Sequence, residues 1–135
     1  MRRALGAALA ALVLAGCGSP APDLFEVKRS GADANANLTL LVSDDGSVTC
    51  NGGKRHPIPN ELLLRARELA RDLAEPAELH LVLEPGQGSV LSYRVRMEAG
   101  TLSFADTSRP LPAPFAQLMA FSKDVSEDVC GLVRR

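Results

Sequence analysis

The chain has no tryptophan, one tyrosine and four phenylalanines, so only 4% of its residues are aromatic. A small domain with so few large side chains depends more on whatever else can hold it together. A basic excess is also missing. The formal net charge is −1 and the pI is near 6.1, which argues against the basic face of a nucleic-acid binder. The charge is too mild and the 46% hydrophobic content too high for a wholly disordered chain. An apolar run without charge covers Ala4 to Ala15, 12 residues, whereas a bilayer span needs about 20. The motifs G-x-S-x-G, H-E-x-x-H, G-x-x-x-x-G-K-[ST] and the EF-hand loop are absent, as is any CxxC. What remains is 135 residues, enough for one domain, with an odd count of three cysteines.

The N-terminus carries the strongest pattern. Met1-Arg2-Arg3 is a short positive segment, and the apolar run 4–15 that follows has the length of a secretory h-region. The run ends in Leu14-Ala15-Gly16-Cys17, which resembles the lipobox of bacterial lipoproteins at all four positions. That resemblance implies a thioether-linked diacylglycerol on Cys17 and cleavage just before it. A thiolate is a good nucleophile toward an alkyl donor, and the small residues at 15 and 16 leave a peptidase room at the backbone. The expected organisation is a signal peptide over 1–16, a lipid-anchored tether over 17–23 containing Gly18-Ser19-Pro20-Ala21-Pro22, and a single domain over 24–135. The protein is then exported and held on a bacterial cell membrane: the outer face of the plasma membrane, or the outer membrane where the organism has one. Cleavage removes two of the 15 basic residues while all 16 acidic ones stay, so the mature chain is mildly acidic.

With Cys17 carrying lipid, Cys50 and Cys130 remain. Export places them in an oxidising compartment, where paired thiols become disulfides. The competing reading, a redox or nucleophilic cysteine, has no CxxC to rest on.

Hydrophobic spacing predicts a strand-rich domain. Strands are expected at 24–29, 38–43 and 47–50, with Asp44-Asp45-Gly46 as a hairpin turn and Asn51-Gly52-Gly53 as the next. Pro57 and Pro59 keep 54–59 extended. A helix runs over 60–73, capped by Asn60, with Leu62, Ala66, Leu69 and Leu73 in one stripe and Pro76 ending it. Residues 79–83 alternate as a short strand. Residues 90–97 and 101–105 form a hairpin, and a second helix covers about 114–129 with Phe115, Leu118, Met119, Ser122 and Val125 inward. The fold class is α+β: a small antiparallel sheet built from hairpins, with two helices packed on it.

Candidate chemistry is sparse. His56 reads as a loop residue and His80 as one face of a strand; two separated histidines make no recognisable metal site. Asp44 and Asp45 suit turn hydrogen bonding. Lys28, Arg29, Arg94 and Arg96 could form a basic stripe across neighbouring strands, or a solvated face balanced by Glu26 and Glu98. No cofactor is indicated.

Two resemblances concern the mature domain. Phe25-Glu26-Val27-Lys28-Arg29-Ser30-Gly31 is similar to the opening strand of the emfourin family, inhibitors of thermolysin-like metalloproteases. A Leu- and Ala-rich helix, a strand with Tyr93, a strand ending Phe104-Ala105-Asp106 and Leu111-Pro112 before a last helix follow in the same order. A second Gly after Gly31 is missing. This resemblance marks Arg29, Ser30 and Gly31 as candidate partner-binding residues. Locally, Val48-Thr49-Cys50-Asn51-Gly52-Gly53-Lys54-Arg55-His56-Pro57 resembles a stretch of the subtilisin-inhibitor-like family, although helix 60–73 lacks that family's partner cysteine. Both imply binding to another protein rather than catalysis. The expected function is an envelope lipoprotein with a noncatalytic binding domain, its partners the membrane through Cys17 and a protease or other envelope protein. The alternatives are a structural envelope lipoprotein and a small-molecule carrier.

Overall fold

A computed structural model describes residues 22–134. The expected signal peptide, Cys17 and most of the tether lie outside the described residues. Within them, six strands form one antiparallel sheet with helices on one face, as the hairpin-rich pattern predicts. The strands are β1 (Asp23–Gly31), β2 (Leu38–Ser43), β3 (Ser47–Cys50), β4 (Arg55–Pro57), β5 (Leu91–Met97) and β6 (Gly100–Ala105). Their spatial order is β4-β3-β2-β1-β5-β6, so the first strand ends up central. Pairing of β1 with β2, β2 with β3, and β5 with β6 joins sequence neighbours. Pairing of β1 with β5 does not, and it aligns Val27 with Val95 and Lys28 with Arg94.

The strand period of two sorts side chains between the faces. Phe25 and Val27 of β1, Leu38, Leu40 and Val42 of β2, and Leu91, Tyr93 and Val95 of β5 are buried on the helical side. At the second hairpin Asn51 and Gly52 both have positive φ, 53° and 70°. That is the backbone of a type I′ turn, which Asn-Gly adopts cheaply. At the tether end, the strand begins one residue earlier than expected: Asp23 pairs with Ser43, and the Pro22 carbonyl accepts a hydrogen bond from the Asp44 amide at 2.9 Å.

Helix α1 (Asn60–Asp72) presents Ala66 and Leu69 to the core, and Leu73 just beyond it is fully buried. Asn60 is its first helical residue rather than its cap; Pro59 occupies the cap position with no side-chain hydrogen bond. Pro76 does not end the helical region. A second short helix, α2 (Ala74–Glu78), starts immediately and holds Pro76 within its first turn, where no intrahelical N–H bond is required of it. Residues 79–83 do not form a strand. His80 is left-handed, φ 51°, and breaks the alternation. Beyond it, a single parallel bridge joins Val82 to Ser103, through Leu83 N–H to the Ser103 carbonyl and Ser103 N–H to the Leu81 carbonyl, both 2.9 Å. That bridge covers part of the β6 edge, which would otherwise be open to pairing with another chain. Gly100, φ 150°, lets α2 approach the β5–β6 hairpin: a Cβ there would lie 2.3 Å from the Ala77 carbonyl oxygen.

Helix α3 (Ala113–Asp124) continues into a wider π-helical turn, Val125–Val129, with the Cys130 amide bonded to the Val125 carbonyl at 3.0 Å. Gly131 follows at φ 69° and stops the helix. Phe115, Leu118, Ser122 and Val125 are buried as expected, but so is Phe121, and Met119 is only partly covered. All four phenylalanines and the tyrosine lie in the core. Phe25 meets Phe121 edge-on at 5.9 Å, while Tyr93, Phe104 and Phe115 stack at 5.0 and 4.9 Å between centroids. The few aromatics are thus concentrated where sheet meets helix, where such pairs add to area burial.

Cys50 and Cys130 come together at disulfide distance, their Cα atoms 6.3 Å apart and their positions 80 residues apart in sequence. The link joins the end of β3 to the end of the last helix. Nearby, Asn35 donates to the Val133 carbonyl at 2.8 Å and Arg134 reaches Asp33 at 3.0 Å, so the C-terminal segment is fastened to the β1–β2 loop.

Candidate functional site

The residues marked by the emfourin-like strand separate in the structure. Arg29 shares the core face with Phe25 and Val27 and is 3% exposed. Its Nε donates to the Ala36 carbonyl and its Nη2 to the Asn35 carbonyl, both at 2.9 Å, which shapes the turn into β2. Burial lowers the affinity of the guanidinium for its proton, and the same burial raises that of the Tyr93 phenol opposite it. Arg29 is therefore a structural cation, and the expectation that it meets a partner is corrected. Position parity is the reason: 28 and 29 cannot share a face of one strand. Gly31 is also structural, because a Cβ there would sit 2.5 Å from the Val90 carbonyl oxygen. Ser30 is exposed on the opposite, helix-free face.

That open face is the surface the fold leaves for function. It carries Glu26, Lys28 and Ser30 of β1, Ser92, Arg94 and Arg96 of β5, and Thr101 and Ser103 of β6. The basic stripe is real for Lys28, Arg94 and Arg96, and lacks Arg29. Glu26 balances part of it, 3.3 Å from Arg96 and 4.0 Å from Lys28. The register puts Lys28 beside Arg94 and Arg94 beside Ser103 in one row across three strands. Against this row stands the 82–85 segment, which follows the β6 edge. Between them lies a groove of about 420 Å³, lined among others by Lys28, Ser30, Ser92, Arg94, Ser103 and Val82. The sequence pattern could not show this groove. It depends on the pairing of β1 with β5, 60-odd residues apart, and on a segment with no regular structure of its own.

The other candidates have local roles. Asp45 accepts from the Ser47 amide at 3.0 Å and hydroxyl at 2.5 Å and pairs with Arg55 at 2.8 Å. The Ser47 hydroxyl, more than Arg55, holds its carboxyl below the ordinary carboxylate range. Asp44 accepts from Arg67 of α1 at 2.6 Å. Both residues act as the turn groups the sequence suggested. His56 lies in edge strand β4, opposite Val48, rather than in a loop. Among the described residues no three His, Cys, Asp or Glu side chains gather as a metal site, and no helix is long and apolar enough to cross a membrane.

A second cleft, about 560 Å³, lies on the other side of the sheet's end, with Leu24, Ala70, Ala74, Met97 and Ala99 as its apolar lining. No protein-family model, curated protein or solved structure matches the chain.

Proposed function

We propose that the protein is an exported lipoprotein, anchored through lipid on Cys17, whose domain binds another envelope protein without catalysing a reaction. The observation that carries the binding part is the division of the sheet. One face is spent on the core, while the other is open, polar and furnished with a groove at Lys28, Ser30 and Arg94. The anchor part rests on Leu14-Ala15-Gly16-Cys17 after a positive segment and a short apolar run. A domain braced by a cysteine link and short hairpins loses little entropy on binding, which favours such a use. Protease inhibition, in the manner of the emfourin-like strand, is the narrower form of this reading.

The test is chemical cross-linking of the native lipoprotein in envelopes, followed by identification of the attached protein. The expected result is one partner, cross-linked through the open face and lost with Ser30→Arg. Failure to find a partner at micromolar concentration removes the reading. The inhibitor form predicts slowed cleavage by a thermolysin-like protease, and unchanged rates remove that form alone. Metabolic labelling with palmitate, abolished by Cys17→Ser, tests the anchor. A small-molecule carrier is the second reading, favoured by the apolar cleft at Leu24 and Met97, whose volume falls in the range of ligand pockets.

A further inference from the structure

We propose that the groove on the open face receives a carboxylate of the partner protein, an Asp or Glu side chain flanked by an apolar residue. The inference rests on the protein-binding reading above and names the chemistry the groove selects. Its centre is Arg94. Among the described residues this side chain has no ion pair and no side-chain hydrogen bond, whereas its neighbour Arg96 is engaged by Glu26. Lys28, next to Arg94 in the same row, has its nearest carboxylate oxygen only at the outer limit of pairing, 4.0 Å away. A single carboxylate, Glu26, is thus shared between two of three cations, and the third is left over. Around Arg94 the hydroxyls of Ser30, Ser92 and Ser103 line the same groove. A planar guanidinium with hydroxyl and ammonium donors beside it suits a carboxylate, which accepts two parallel bonds.

The walls narrow the choice. Glu84 lines the groove opposite the strands, so two cations face one carboxylate there. That surplus of one positive charge is neutralised by a single negative charge and leaves a multiply charged anion only partly compensated. A polyphosphate chain or an anionic lipid surface would call for a wider basic field, which a chain of net charge −1 does not offer. Val82, 62% exposed, and Pro85 supply an apolar wall beside the charges. A peptide carboxylate next to a Leu or Val matches both features. The site is solvent-exposed, so the pairing contributes selectivity more than affinity.

The test uses the full lipidated chain in non-ionic detergent and fluorescence anisotropy with two labelled peptides, acetyl-Ala-Leu-Glu-Val-Ala-amide and its Gln counterpart. The Glu peptide is expected to bind about five- to tenfold more tightly at low salt, the difference shrinking as salt rises. Arg94→Gln erases the discrimination, Lys28→Gln weakens it, and Glu84→Gln strengthens binding of the Glu peptide. Arg71→Gln, on α1 and away from the groove, leaves all values unchanged. Equal affinity for the two peptides, or discrimination that survives Arg94→Gln, overturns the proposal. So does Arg94-dependent binding of inorganic phosphate or of short-chain phosphatidylglycerol in preference to the Glu peptide, which would place a phosphate or a lipid headgroup there. A cross-linked partner whose attachment ignores Arg94 removes this inference and keeps the binding-domain reading; absence of both partner and peptide selectivity removes the two together.

Discussion

The two faces of the sheet use the same strands to opposite ends. Along β1, Phe25, Val27 and Arg29 point toward the helices, while Glu26, Lys28 and Ser30 point to solvent. On the covered face even a cation is drawn into structure: Arg29 gives its hydrogen bonds to two backbone carbonyls and leaves none exposed for a partner. On the open face the cations keep their freedom, and the closest pairing they make is shared through Glu26. The lesson is that residue type does not assign a role on a strand; parity does. Arg29 and Arg94 are the same amino acid on adjacent strands, one part of the fold and one available to a ligand.

Three experiments would sharpen or break that contrast. The largest effect is expected on the covered side, where Cys50 and Cys130 join β3 to the end of the last helix. Replacing both by Ser frees a connection 80 residues long and should lower stability by about 4–5 kcal/mol on the chain-entropy model. Chemical denaturation with and without reductant measures it, and equal midpoints for the oxidised and substituted proteins would show that the link restrains nothing.

Next, Phe121→Ala should cost about 3–5 kcal/mol, because the ring is fully buried and packed edge-on against Phe25. The matched change on the open face, Arg96→Ala, should shift stability by no more than about 0.5 kcal/mol. Urea midpoints compare the two, and a similar loss for both would erase the distinction between the faces.

The smallest expected effect comes from the paired arginines. Arg29→Leu strands the buried Ala36 carbonyl and should cost about 1–3 kcal/mol. Arg94→Leu strands nothing and should leave stability within about 0.5 kcal/mol of the parent. The same pair of variants separates folding from recognition. Only Arg94→Leu is expected to alter peptide selectivity while the denaturation midpoint holds.

Local patterns anticipated much of this molecule. The alternation at 24–29, 38–43 and 90–97, the Asp44-Asp45-Gly46 and Asn51-Gly52 turns and the apolar stripe of 60–73 each depend on neighbours a few positions away. They appear in the structure within a residue or two. Where spacing misled, a local rule met a tertiary demand. Residues 79–83 alternate like a strand, but α2 and the left-handed His80 consume the first of them, and β6 captures only Val82. Pro76 suggests a helix end, yet a new helix beginning at Ala74 turns it into a first-turn residue. Phe121 falls outside the expected stripe of the last helix because α3 is covered from two directions, by β1 through Phe25 and by α1 through Arg65, whose guanidinium lies 5.7 Å from its ring.

Sequence pattern was enough for most of the strands, the two long helices and the sorting of most side chains between two faces. These follow from short-range geometry. Tertiary structure alone decided that β1 lies at the centre beside β5, that Lys28 and Arg94 therefore stand side by side, and that the 82–85 segment walls them into a groove. Register between strands far apart in sequence is set by which arrangement buries Val27 against Val95 and Tyr93 beside Arg29. That choice is a property of the whole core, and no single segment carries it.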